Sequence, residues 1–200
     1  ENGDAEALMG NHEFNALGFG TLKADGQPYR SHSSGAMEQH ASFLVDAPIG
    51  SKQHDDAMRF FASLSIVYNG RNVRGIHAAW IDDAIAALKP HLNATGGLRR
   101  AEITEAPDER SDLQETLRAL LKGPEIKVPK DMAWIDSHGS KRTKNRVRWW
   151  SSMPATLREA IILEGNQDDR DDLLPSVPRY EQTDTRPGLF GHYALMQDPH

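Results

Sequence analysis

Residues 8–17, Leu8-Met9-Gly10-Asn11-His12-Glu13-Phe14-Asn15-Ala16-Leu17, decide how the chain is read. Two apolar residues run into Gly-Asn-His-Glu, and a stretch of helical character follows. This is the pattern of a short strand, a tight glycine turn and a helix. Such a turn presents its next side chains at the carboxyl edge of a sheet, where α/β proteins place their chemistry. An Asn amide oxygen there can ligate a hard or borderline metal ion, and an adjoining imidazole can act as ligand or general acid.

Two further stretches end the same way. Residues 65–76 alternate β-branched and aromatic residues around Asn69-Gly70, the pair that best tolerates a type I′ turn, so a hairpin is expected that delivers His77 at its end. Leu189-Phe190 is expected as a last strand, with Gly191-His192-Tyr193 beyond it. Between these strands the spacing predicts helices over residues 11–19, 37–45, 55–64, 82–92, 111–121 and 154–163. Ser111 is the expected N-cap of the fifth, and Gly123-Pro124 its stop. Residues 20–35 read as a loop. Residues 132–135 and 146–150 read as a second hairpin around residues 137–140. Pro175 to Pro187 reads as an extended connection.

The chain has 200 residues, 38% of them hydrophobic and 26% charged, which suits one domain with a sizeable core. Its net charge of −6 argues against a nucleic-acid-binding surface. A metal ion would still dominate the field in its own site, so local phosphate binding is compatible with this acidity. There is no cysteine, which excludes disulfides, thiolate zinc sites and cysteine nucleophiles. No apolar run approaches the ~20 residues of a membrane span. A cytoplasmic protein with neither membrane nor nucleic-acid partner is expected.

The Gly10-Asn11-His12-Glu13 tetrapeptide resembles the Gly-Asn-His-Glu block of calcineurin-like metallophosphoesterases. Arg74-Gly75-Ile76-His77-Ala78-Ala79-Trp80 and Gly188-Leu189-Phe190-Gly191-His192-Tyr193 resemble the two further histidine blocks of that family, in the same order. Lys122 to Glu125 (Lys-Gly-Pro-Glu) and Arg148 to Trp150 (Arg-Trp-Trp) resemble segments of its bacterial serine/threonine protein phosphatase-like branch. The resemblance implies an α/β fold, a two-sheet sandwich flanked by helices. It implies a single partial domain over residues 1–200, with a cap-like insertion at about 82–186. Asn11, His77 and His192 are the implied ligands of one metal in a two-metal centre that activates a water, and His12 the implied proton donor to the leaving group. Manganese, iron, zinc or nickel would suit imidazole and amide donors. The expected reaction is hydrolysis of a phosphate monoester on a small molecule or on a phosphoserine or phosphothreonine protein. A dinucleoside polyphosphate hydrolase and a non-catalytic metal-binding scaffold are the alternatives.

The family carries an Asp-x-His block and a Gly-Asp-x-x-Asp-Arg-Gly block before Gly-Asn-His-Glu, and only ten residues precede Asn11 here. The chain is therefore expected to be the central and C-terminal portion of the family domain, incomplete at the N-terminus, and to be poorly soluble, a homodimer or dependent on a missing partner segment. Glu13 reads either as an outer carboxylate that orients an imidazole or as an acid favoured at a helix start. Arg146, Arg148, Trp149 and Trp150 read first as a cross-strand ladder over the core and second as the substrate side. Lys122 to Glu125 reads equally as a helix terminator. Asp136-Ser137-His138-Gly139 reads as a turn, with a permuted ligand role as its alternative. Asp198 to His200 reads as a terminus, and Gln167 to Asp172 as a solvated loop. His32, His40, His54 and His91 show no ligand-like pairing in the sequence.

Overall fold

The computed structural model describes residues 5–99, 102–106, 111–136, 139–151, 154, 156–162, 180 and 182–193. Residues 167–172 and 198–200, read above as a loop and a terminus, lie outside the described residues, as does His138.

The chain is mixed α/β, with small sheets among helices. Helix α1 (Asn11–Gly20) begins where Gly10 is extended, and the Gly10 N–H donates to Glu13 Oε2 at 3.0 Å, which satisfies an amide the helix start leaves bare. Helices α2 (Ser34–Asp46) and α3 (Lys52–Ser63) are each capped by a serine: Ser33 Oγ accepts from the Ala36 N–H, and Ser51 Oγ from the His54 N–H. Strands β1 (Val67–Asn69) and β2 (Arg74–Ile76) follow, then helix α4 (Asp82–Leu88). The helix expected to reach residue 92 ends at Leu88, and Lys89–His91 is a 3-10 turn around Pro90, whose ring removes an N–H from the ladder.

A short helix α5 (Glu102–Glu105) precedes α6 (Asp112–Lys122), where Ser111 Oγ caps the Gln114 N–H at 3.1 Å and Gly123, at φ 83°, ends the helix. Then come β3 (Glu125–Lys127), β4 (Trp134–Ile135), β5 (Lys141–Arg142), β6 (Lys144–Arg146), α7 (Leu157–Ala160) and β7 (Gly188–Leu189). Helix α7 is shorter than expected: Thr156 and Glu159 form a capping box that fixes its start, and Ile161 is already extended.

The sheet that positions the site runs β1-β2-β7. Strand β1 is antiparallel to β2, with Val67 opposite Ile76 and Asn69 opposite Arg74, and β7 is parallel to β2, with Arg74 opposite Gly188. The expected hairpin is there, but not its type I′ turn: residues 70–73 form a four-residue connection, and Gly70 is not among the glycines at positive φ. The Arg186 guanidinium holds this wider loop, donating to Gly70 O and to Asn69 Oδ1. The short strand expected before Gly10 is reduced to one parallel bridge, Leu8 with Ser65, and a 2.8 Å bond from the Met9 N–H to Ser65 O.

The second expected hairpin is paired differently. β4 pairs with β5, so Trp134 faces Arg142, and β6 pairs with β3, so Arg146 faces Glu125. The turn explains this. Asp136 Oδ1 accepts from the Ser140 N–H at 2.8 Å, Gly139 sits at φ 77°, and the chain reverses at once into Lys141. Residues 147–150 then leave the strand: Trp149 is 5% exposed, and its Nε1–H donates to Ala78 O at 3.1 Å, so it belongs to the core rather than to a ladder.

That core gathers Met9, Phe14 and Leu17 from the start of the chain with Ile66, Ile76, Leu88, Leu117, Leu120, Leu121 and Trp149. A smaller cluster joins Val128, Met132, Leu157, Ala160 and Ile161. No helix among the described residues is long and apolar enough to cross a membrane.

Candidate metal centre

Three polar atoms from three distant parts of the chain meet at the carboxyl end of β2. Asn11 Oδ1 lies 2.8 Å from His77 Nε2 and 3.1 Å from His192 Nδ1, and the two imidazole nitrogens are 3.2 Å apart. Asn11 is the first residue of α1 and is buried; both histidines are half-buried.

Local structure explains each position. His77 follows β2, and the next two backbone N–H groups, of Ala78 and Ala79, both donate to Leu120 O on α6. The His77 carbonyl accepts from the Gly191 N–H at 2.9 Å, which ties the two histidine segments together by their backbones. His192 is the one described non-glycine residue at positive φ, 70°, and the Tyr193 N–H donates to Gly191 O at 2.8 Å. This is the three-residue turn of the rarer, strained kind. Backbone strain at a residue whose side chain joins a polar cluster points to a functional constraint.

The contacts cannot all be hydrogen bonds. With protons on both facing nitrogens, two N–H groups collide. With one proton or none, some pair of lone pairs is left facing. Exchanging the amide oxygen and nitrogen of Asn11 does not remove the conflict. A cation would satisfy all three atoms together, and ligands about 2.1 Å from an ion at right angles stand about 3 Å apart. The electrostatics agree. Burial pushes His192 down to about 4, helped by Arg146, His77, His12 and Lys122. Burial also lowers His77, with Glu13 opposing and His12 adding to the effect. Both rings are therefore neutral near pH 7, with the lone pairs a metal requires. The donor set, two imidazoles and an amide oxygen, suits a borderline divalent ion.

The sequence-expected residues divide clearly. Asn11, His77 and His192 come together. His12 is exposed on the first turn of α1, near enough for its charge to act on His77, His192 and His40. Glu13 is committed to the Gly10 N–H, although its charge still reaches His77. Asp136 closes a turn and binds Arg142 through Nε at 2.7 Å and Nη2 at 2.6 Å, so its turn role accounts for it. Among the described residues no three His, Asp or Glu side chains form a ligand cluster; what converges is two histidines with an asparagine. His91 pairs with Glu102 at 3.0 Å, and His32 Nε2 meets Phe19 O at 2.9 Å.

Sequence reasoning missed Tyr193 and Arg30. The Tyr193 ring packs on His192, Trp150 and Phe190, and a Cβ on Gly123 would collide with its hydroxyl. Arg30 acts on His40 and on Lys122 from within a loop of surface composition, which carried no signal. No protein-family model, curated protein or solved structure matches this chain.

Proposed function

We infer that the chain is part of a metal-dependent phosphoesterase that cleaves phosphate monoesters, with Asn11, His77 and His192 as metal ligands. The observation that carries the reading is the triangle of Asn11 Oδ1, His77 Nε2 and His192 Nδ1, with His12 one residue further along the same helix. The resemblance of the three blocks to calcineurin-like metallophosphoesterases supports it. A bound divalent ion would supply a Lewis acid and lower the pKa of a water beside the phosphate. Asn11 and the two neutral imidazoles would hold and orient it. His12, exposed beside them, is suited to give a proton to the departing alkoxide, because an imidazole can both carry and release one. The sheet β1-β2-β7, with the Leu8 bridge at its side, would be the site-bearing half of a two-sheet sandwich.

The test is manganese-dependent hydrolysis of p-nitrophenyl phosphate, with His12→Asn as control. Turnover that falls at least about a hundredfold in the control supports the reading. A complete, folded protein that binds manganese without turning over would overturn it, and would favour the second reading, a metal-binding scaffold. One observation speaks for that alternative: Glu13, the carboxylate acting on His77, is tied to backbone and not directed at the triangle. Turnover would require carboxylates contributed by a second copy or by a preceding segment.

A further inference from the structure

One indole touches both histidine segments of the triangle. Trp149 follows β6 and is buried. Its Nε1–H donates to Ala78 O at 3.1 Å, one residue after His77. Its ring meets Phe190 edge to face, with centroids 4.9 Å apart, two residues before His192. Phe190 and Trp150 in turn pack against Tyr193, whose ring lies edge-on to the His192 imidazole at 5.3 Å.

The two segments need such a fixture for different reasons. Ala78 is fully buried, so its carbonyl must be paired, and Trp149 is the donor. The His77 carbonyl is bonded to the Gly191 N–H, and the Ala78 and Ala79 N–H groups to Leu120 O, so the backbone just past His77 is committed on every side. The His192 segment is held more thinly. Strand β7 is two residues long, Leu189 is exposed, and His192 itself sits at positive φ. A ligating histidine almost always has its second ring nitrogen bonded, which orients the ring. His192 Nε2 is buried and has no hydrogen-bond partner among the described residues, so ring packing orients it instead. An indole meets both needs, with a large apolar face for the packing and a single N–H for the carbonyl.

We propose that Trp149 is a positioning residue of the candidate metal centre, whose indole ties the backbone after His77 to the aromatic packing before His192 and so sets the spacing of the two imidazoles. It acts through His77 and His192. The inference rests on the metal-binding part of the proposed function and not on the phosphoesterase chemistry.

The test is titration of the chain with cobalt(II), which the same donors bind and whose visible absorption reports ligand geometry. Trp149→Phe keeps a ring against Phe190 but removes the N–H. It is expected to lower cobalt affinity about tenfold or more and to change the shape of the cobalt absorption band. Leu157→Ala is the control: Leu157 is buried in the smaller cluster, so its loss should lower stability and leave cobalt affinity and spectrum as in the wild type. Affinity and spectrum unchanged in a folded Trp149→Phe protein would overturn the proposal. So would an equal loss of affinity in Leu157→Ala, which would make the effect one of general stability. If Trp149→Phe does not fold, Phe190→Leu removes the ring contact while leaving the bond to Ala78, and unchanged cobalt binding there overturns the proposal in its turn. A wild-type chain that binds no cobalt sinks the metal centre and this proposal with it. Absence of phosphatase turnover in a complete protein that binds cobalt sinks the phosphoesterase reading alone.

Discussion

Gly10 and His77 are in contact across the candidate site: a Cβ at position 10 would lie 3.0 Å from His77 Cε1 and 2.6 Å from Glu13 Oε2. The glycine is required by space and not by backbone angle, since its φ of −97° is open to any residue. The Gly-Asn-His-Glu turn therefore serves two purposes. It starts a helix, and it lets a histidine from another strand close over that start.

Gly10→Ala follows from this contact. The methyl group must push back the His77 ring or the Glu13 carboxylate, and overpacking of this kind costs about 1–3 kcal/mol. Displacing His77 should also weaken manganese binding by about tenfold or more. Urea unfolding and metal titration of the variant check the two parts separately.

The turn at His192 gives a cleaner comparison. At φ 70° glycine is unstrained and alanine is not, so His192→Gly should be more stable than His192→Ala by about 1 kcal/mol. Both variants lose the imidazole, and neither should show a manganese-induced rise in Tm. Equal stabilities would mean that the turn stores no strain.

The two buried imidazoles set the acid response of the metal-free chain. His192 is depressed from 6.5 to about 4, and His77 is also lowered. Between these values the unfolded chain binds protons that the folded chain refuses, so stability is full above about pH 6.5 and is lost as pH falls toward 4. A urea midpoint measured across that window should fall with pH, and His192→Ala should flatten the slope. A wild-type midpoint independent of pH there would contradict the assignment of neutral rings.

Leu120 is fully buried, and its carbonyl receives the N–H groups of Ala78 and Ala79 directly after His77. Leu120→Ala should cost about 3 kcal/mol of stability by opening a cavity, with a smaller loss of metal affinity as the His77 segment loosens. Denaturant unfolding followed by metal titration under native conditions measures both.

What could be read in the sequence follows the range of the signals. The cap Ser111 and the stop at Gly123 act within four residues, and α6 begins and ends beside them, whereas α2 and α3 begin three residues before the apolar spacing, at the caps Ser33 and Ser51. Strand pairing is chosen over longer distances. Lys141–Arg142 meets β4 because the Asp136 turn is tight, and that choice frees Arg146 to pair with Glu125. The Asn69-Gly70 turn failed for the same reason, since Arg186, over a hundred residues away, holds the loop in another form. Within the site, each of Asn11, His77 and His192 announced itself by its own block. Their meeting depends on the parallel pairing of β2 with β7, which periodicity cannot reveal. Arg30 gave no signal because a basic residue in a polar loop looks like any solvated charge.

Asn11 and His192 touch across 181 positions of the chain, and His77 lies between them in sequence as in space. The triangle is thus also a clasp. During synthesis the first two members can be folded and buried long before the third exists, and until β7 docks there is nothing for an ion to complete. An ion bound there would be linked to the docking of β7 and the segment before it, so chelation should be felt first as fraying of residues 182–193, far from the loop where the site begins. Proteolysis timed with and without metal would then read the site's occupancy through the accessibility of that strap.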